Sequence, residues 1–136
     1  MPKRLFTPCE ANSALDQVRP IAERLVALRS RMRELAETQG DSILAIGGNG
    51  VGYAATDLKA AQGGLEQLAE QTAEALRELD ALGVVVKDLD VGLLDFPGLR
   101  DGEEVELCWQ VGEASVAYWH PLGAGFRGRK PIDWDE

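Results

Sequence analysis

Apolar residues in the first part of the chain return at a seven-residue interval. Ala11, Val18, Leu25 and Met32 form one line, and Ala14, Ile21, Leu28 and Leu35 form a second. On a helix these two lines lie side by side as one sustained apolar stripe. Thr7-Pro8-Cys9-Glu10 reads as the start of that helix: Thr7 caps, Pro8 suits the first helical position, and Glu10 sits where a capping box needs its carboxylate. Pro20 interrupts the stripe and predicts a kink, because its ring removes one backbone hydrogen bond. The first helix is predicted over 8–39 and a second over 57–82, where Leu58, Leu65 and Leu79 share one line and Ala61, Leu68, Ala75 and Leu82 the other. Glu66, Glu70, Glu74 and Glu78 make an acidic ridge on the second helix, for which the arginines of the first are natural partners. Gly83 is a good C-terminal stop.

Between the helices, 40–56 is predicted as a Gly-rich connection. Gly50, Gly52 and Ala55 fit a loose dinucleotide-binding pattern, but such a fingerprint places its acidic residue about 20 positions on. Asp88 lies much further away, and no alternation of strands and helices follows. A link between antiparallel helices is the better reading.

After Gly83 the period changes from helical to alternating. Val84–Lys87 and Leu93–Phe96 read as short strands and Arg100-Asp101-Gly102 as a turn. Val105, Leu107 and Trp109 then alternate with Glu104, Glu106, Cys108 and Gln110, and Ser115–His120 follows after Gly112-Glu113. The segment 84–120 is therefore predicted as a β-meander, and 121–136 as a C-terminal loop and tail. The fold class is α+β in a single domain, 1–136: a long antiparallel helical hairpin packed on a small antiparallel sheet of three or four strands. At about 1.5 Å per residue the helices reach roughly 45 and 40 Å, longer than a domain of this size is wide. A second surface is needed to cover them, and homodimerisation through the hairpin is the expectation.

The chain has 136 residues, and 45% of them are apolar, enough for a core without disulfide staples. No apolar run approaches the roughly 20 residues of a membrane span, and no apolar stretch follows the basic start as in a secretory signal. A cytoplasmic location is expected. Cys9 and Cys108 lie far apart, which argues against a disulfide framework or a cysteine-built zinc site. Net charge is −9. Residues 1–40 carry seven Lys/Arg against five Asp/Glu, the remainder seven against eighteen. So acidic a chain repels phosphate backbones, and neither nucleic acid nor an anionic membrane is an expected partner.

Candidate chemistry gathers in the last third, which holds the one histidine. Asp88, Asp90, Asp95 and His120, with Glu106 as a further carboxylate, have the donors for Mg²⁺ or Mn²⁺, or for Zn²⁺ with Cys108 added. Against that, Asp88 and Asp90 can satisfy turn backbone groups, Asp95 can pair with an arginine, and His120 can hydrogen-bond within the fold. Arg127, Arg129 and Lys130 form a basic cluster among glycines, suited to a phosphate or carboxylate. The rival reading has Arg129 reaching back to Asp88 or Asp95. A Cys108–His120 nucleophile and base lacks an oxyanion loop and an orienting third residue.

The motifs KDLDVGLLDFP, ELCW, AYWH and GFRGR, with Phe6-Thr7 and Ala11 at the start, resemble a bacterial family known as domain of unknown function 2203. The resemblance covers nearly the whole chain, and the glycine-rich segment 40–55 departs from it. It implies no activity and no catalytic residues. The leading expectation is an interaction or scaffold module acting as a homodimer and meeting a protein partner; the alternative is a small metal- or phosphate-dependent enzyme or ligand-binding protein with its site on the C-terminal sheet.

Overall fold

The computed structural model describes residues 3–49 and 55–134, with the side chains of 3–37 and 63–134. Helix α1 spans Pro8–Asn49 and helix α2 spans Ala55–Ala81. The capping box forms reciprocally: the Glu10 N–H donates to Thr7 Oγ1 at 3.1 Å, and the Thr7 N–H donates to Glu10 Oε1 at 3.0 Å. That backbone hydrogen bond from Thr7 holds the Glu10 carboxyl below its usual range. Helix α1 does not stop at Gln39-Gly40 but runs on to Asn49. A single interior glycine costs only about 1 kcal/mol, and the Ser42-Ile43-Leu44-Ala45-Ile46 run that follows contains no proline to end the helix. The connection expected over 40–56 is thus helical at both ends, and its middle, 50–54, lies outside the described residues.

The buried row of α1 is Ala11, Leu15, Val18, Ala22 and Leu25, a four-three spacing that takes in Leu15 and Ala22 from outside both heptad lines. This row faces the sheet. The second line is half-buried at Ala14 and Ile21 and buried at Leu28, and it turns toward α2. There Arg24 pairs with Glu78 at 2.5 Å, Thr72 Oγ1 lies 3.7 Å from Met32 Sδ, and Leu35 packs on Gly64. The pairing of rising with falling numbers means that the helices lie in opposite senses where they touch.

The sheet has five strands among the described residues, not three or four, in chain order β1 (Val85–Asp88), β2 (Leu93–Arg100), β3 (Glu103–Gln110), β4 (Tyr118–Pro121) and β5 (Lys130–Pro131). Each is antiparallel to the next. The fifth falls in the segment expected to be loop; its proline is tolerated because β5 is an edge strand. Arg100 pairs with Glu103 across a two-residue turn in which Asp101 and Gly102 have φ of 52° and 81°. Positive φ at both positions belongs to the tight hairpin turn that Asp-Gly favours, and it sets the β2–β3 register.

One face of the sheet carries Leu94, Phe96, Val105, Leu107, Trp109 and Trp119, which join the α1 row and Ala75 and Leu79 of α2 in one core. Phe6 closes its end. Its N–H donates to the Pro97 carbonyl at 2.6 Å, and its ring meets Phe96 edge-on at 5.2 Å. No helix among the described residues is long and apolar enough to cross a membrane.

A Cβ on Gly98 would stand 2.8 Å from the Phe6 carbonyl oxygen, whereas one on Gly102 would meet nothing within 4 Å. Gly98→Ala is expected to destabilise by about 1–3 kcal/mol through this overlap with backbone, and Gly102→Ala by roughly 1 kcal/mol through its positive φ alone. Urea unfolding ranks the two; a neutral Gly98→Ala would mean that Phe6 does not dock on β2.

Candidate functional site

Strand alternation that sends Leu94 and Phe96 to the core sends Asp95 to the opposite face, together with Glu106 and Cys108 of β3 and Tyr118 and His120 of β4. Register then decides who meets whom. Asp95 lies opposite Cys108, and Glu106 lies opposite His120. An outer sheet face is normally wet, yet Asp95 and His120 are each 2% exposed and Cys108 is fully buried.

The cover is the connection from β4 to β5, which folds back over this face through a 3-10 turn, Phe126–Gly128. Arg129 fastens it. Its Nη2 donates to Glu113 Oε1 at 2.7 Å and Oε2 at 2.9 Å, and to the Cys108 carbonyl at 3.3 Å. The guanidinium also lies over the Tyr118 and Phe126 rings, at 4.2 and 4.6 Å.

Beneath this cover His120 Nδ1 is 2.9 Å from the Pro121 carbonyl oxygen. A carbonyl only accepts, so the ring hydrogen belongs on Nδ1. Nε2 then faces Asp95 Oδ1 and Oδ2, both at 3.2 Å, and Glu106 Oε2 at 3.5 Å. Carboxylate oxygens also only accept, so a positive species, a proton or a metal ion, belongs between the ring and the acids. The spacing fits an ion. Metal–ligand bonds of about 2.0–2.1 Å in a tetrahedron put neighbouring donor atoms about 3.3–3.4 Å apart. Cys108 completes the set: donor atoms of Asp95, Cys108 and His120 all lie within 4.8 Å of one another.

Electrostatics reflect the crowding of acids. A hydrogen bond to Asp95, then burial, then the Asp95 charge push the Glu106 carboxyl up to about 7. Burial, and after it the Asp95 charge, push the Cys108 thiol up to about 12. Cys108 is thus a poor nucleophile in this setting, and its thiolate forms where a cation displaces the proton. On the open side a cavity of about 170 Å³ is lined by Asp95, Glu106 and His120 together with Lys87, Leu93 and Phe126. Lys87 Nζ stands 3.8 Å from Glu106 Oε2.

Of the expected metal residues, Asp95 and His120 come together and Asp88 and Asp90 stay apart from them. Asp88 Oδ1 accepts the Asp90 N–H at 2.8 Å, closing the β1–β2 turn. Asp90 takes Arg29 at 3.0 Å and Arg33 at 2.7 Å, and the Arg29 hydrogen bond holds its carboxyl below the usual range. Arg127, Arg129 and Lys130 do not converge either. Arg127 is exposed on the turn, and Lys130 Nζ lies over Trp119, 5.3 Å from the ring centroid. Arg129 is held by Glu113, not by Asp88 or Asp95, because the loop returns over the β3–β4 turn. The contributions of Lys87 and Glu113 were not signalled by the sequence: Lys87 opens the motif KDLDVGLLDFP without a role attached to it, and Glu113 lies outside the motifs. Glu106 and Cys108, both in the motif ELCW, were legible as a further carboxylate and an added Zn²⁺ donor.

Glu106 binds its proton more tightly folded, at about 7, than at the ordinary carboxyl value of 4.5. Stability of the metal-free protein is therefore full below the ordinary value and falls as pH rises from there through 7. Glu106→Gln is expected to flatten that decline and to melt higher than the parent at pH 8, by about 1–2 kcal/mol after allowance for solvent screening. At pH 4 the two should coincide; parallel melting curves across the whole range would contradict the acid pair.

No curated protein and no solved structure matches the chain. The profile of a family described as an uncharacterized conserved protein matches residues 4–132, a span that takes in all five strands and the residues around Asp95 and His120. The chain belongs to that family, DUF2203.

Proposed function

We propose that this is a divalent-metal protein, a small metal-dependent enzyme or ligand-binding protein. Its ion is held by His120 Nε2, Asp95 and Glu106, with Cys108 as the fourth donor. The observation that carries the reading is the buried imidazole nitrogen at 3.2–3.5 Å from three carboxylate oxygens, with its other nitrogen bonded to a backbone carbonyl. Bonding of the second nitrogen to a carbonyl is how metal-ligating histidines are oriented. A set of nitrogen, oxygen and sulfur donors favours a borderline ion such as Zn²⁺ over Mg²⁺ or Ca²⁺. An ion held by these four donors that takes a fifth ligand from the adjoining cavity would serve binding or Lewis-acid chemistry there.

Metal titration followed by thermal melting tests this. Zn²⁺ at a hundred times its Kd should stabilise by about 2.7 kcal/mol, with one ion per chain, and chelation should reverse the gain. His120→Ala and Asp95→Asn should each abolish it, and Asp90→Asn should retain it. A flat response in the parent would mean that a proton, not an ion, bridges His120 and the acids.

The interaction reading is supported by a different observation. Helix α1 has 42 residues, about 63 Å at 1.5 Å per residue, whereas the eight-residue strands β2 and β3 span about 27 Å at 3.4 Å per residue. A helical hairpin of that length suits a homodimer or a protein partner along its far part, in the cytoplasm. A dimer is expected by light scattering at tens of micromolar; a monomer would remove this reading.

A further inference from the structure

We infer that Lys87 sets the charge of the proposed ion site, offsetting one of its three anionic donors so that the site suits a divalent rather than a trivalent ion. The inference rests on the metal reading and adds the residue that selects the charge of the ion.

Three of the four proposed donors are anions when an ion is bound: the carboxylates of Asp95 and Glu106 and the thiolate of Cys108. His120 adds no charge, because Nδ1 keeps its hydrogen against the Pro121 carbonyl and Nε2 gives its lone pair to the ion. Three anions by themselves match a trivalent ion, and beneath the cover an unbalanced charge is costly. Lys87 is the one lysine or arginine among the described residues that line the cavity. It brings the sum to minus two, which a divalent ion cancels. Arg129 and Glu113 are bonded to each other and cancel.

Backbone geometry explains how an ammonium comes to stand there. The β1–β2 register shifts between Val86 and Asp88, so Lys87 has no partner on β2, and a bulged residue of this kind re-aims its side chain. Its Nζ stands 3.8 Å from Glu106 Oε2, beyond a good hydrogen bond, so Glu106 gives up little when it turns to an ion. An ammonium has donors only and cannot itself ligate. An ion bound to that oxygen at about 2.0–2.2 Å lies within roughly 6 Å of the ammonium. The Lys87 side chain is 44% exposed, so the medium between them is close to water. At that distance the repulsion lowers the affinity of a divalent ion about tenfold and that of a trivalent ion about thirtyfold, because Coulomb energy scales with charge.

The test measures the affinity of the full chain for Zn²⁺ and for Ga³⁺, two ions with the same filled d shell, in chelator buffers at low salt. Lys87→Gln is expected to tighten Zn²⁺ about tenfold and Ga³⁺ about thirtyfold. Most of both gains should vanish near 1 M salt, where charges more than about 3 Å apart are screened. Lys87→Arg, which keeps the charge, is expected to stay within about twofold of the parent for both ions. A residue that only held Glu106 in place would act in the opposite sense, and its loss would weaken both ions. Zn²⁺ affinity unchanged or weakened in Lys87→Gln, equal factors for the two ions, or the same gain in Lys87→Arg would each overturn the inference and leave the metal site standing. A parent protein that binds no Zn²⁺ would overturn the metal reading, and the inference with it.

Discussion

The register of β2, β3 and β4 is the constraint on which the rest depends. Because side chains alternate along a strand, a slip of one residue exchanges the two faces. In the register formed, Phe96 faces Leu107 on the core side and Asp95 faces Cys108 on the other. The same pairing that completes the apolar core thereby collects the acids, the thiol and the imidazole. The tight turn at Asp101-Gly102 sets this register from one end. The core side keeps it, since a slip would drive Asp95, Glu106 and His120 against the Val18 and Leu25 row of α1.

Burial of the outer face is a separate achievement. Without the β4–β5 connection, Asp95 and His120 would be solvated and their mutual electrostatics weak. Arg129 is central because it satisfies both oxygens of Glu113 and the Cys108 carbonyl while two aromatic rings flank its guanidinium. Together these contacts fix the cover over the acids. Glu106 holds its proton up to about 7 first because of its hydrogen bond to Asp95 and then because the lower polarity beneath the cover raises the cost of an unbalanced charge. The lower polarity also raises the gain from an ion that neutralises the acids together.

Local features were legible in the sequence because their causes are local. The capping box, the seven-residue rhythm, the Asp-Gly turn and the alternation of β3 all depend on residues within a few positions of one another. Asp95 and His120 stood out as a rare histidine and a carboxylate in strand-like surroundings. What could not be read was the choice between Asp95 and its neighbours Asp88 and Asp90. That choice depends on the β1–β2 turn, which commits Asp90 to Arg29 and Arg33 of the helix and Asp88 to the backbone. The same holds for Arg129, whose partner is fixed by the path of a Gly-rich loop. The fifth strand escaped notice because two residues, one of them proline, carry no alternation, and the extension of α1 because Gly40 resembles a stop that the residues after it override.

Since His120 is the one histidine in the chain, nitrogen NMR of its ring tests the central claim without ambiguity of assignment. Addition of one equivalent of Zn²⁺ should move the Nε2 resonance to that of a metal-bound nitrogen while Nδ1 keeps its hydrogen and its bond to the Pro121 carbonyl. A ring that carries hydrogens on both nitrogens before and after the addition, with neither resonance displaced, would contradict the account and leave His120 as a buried partner of two acids.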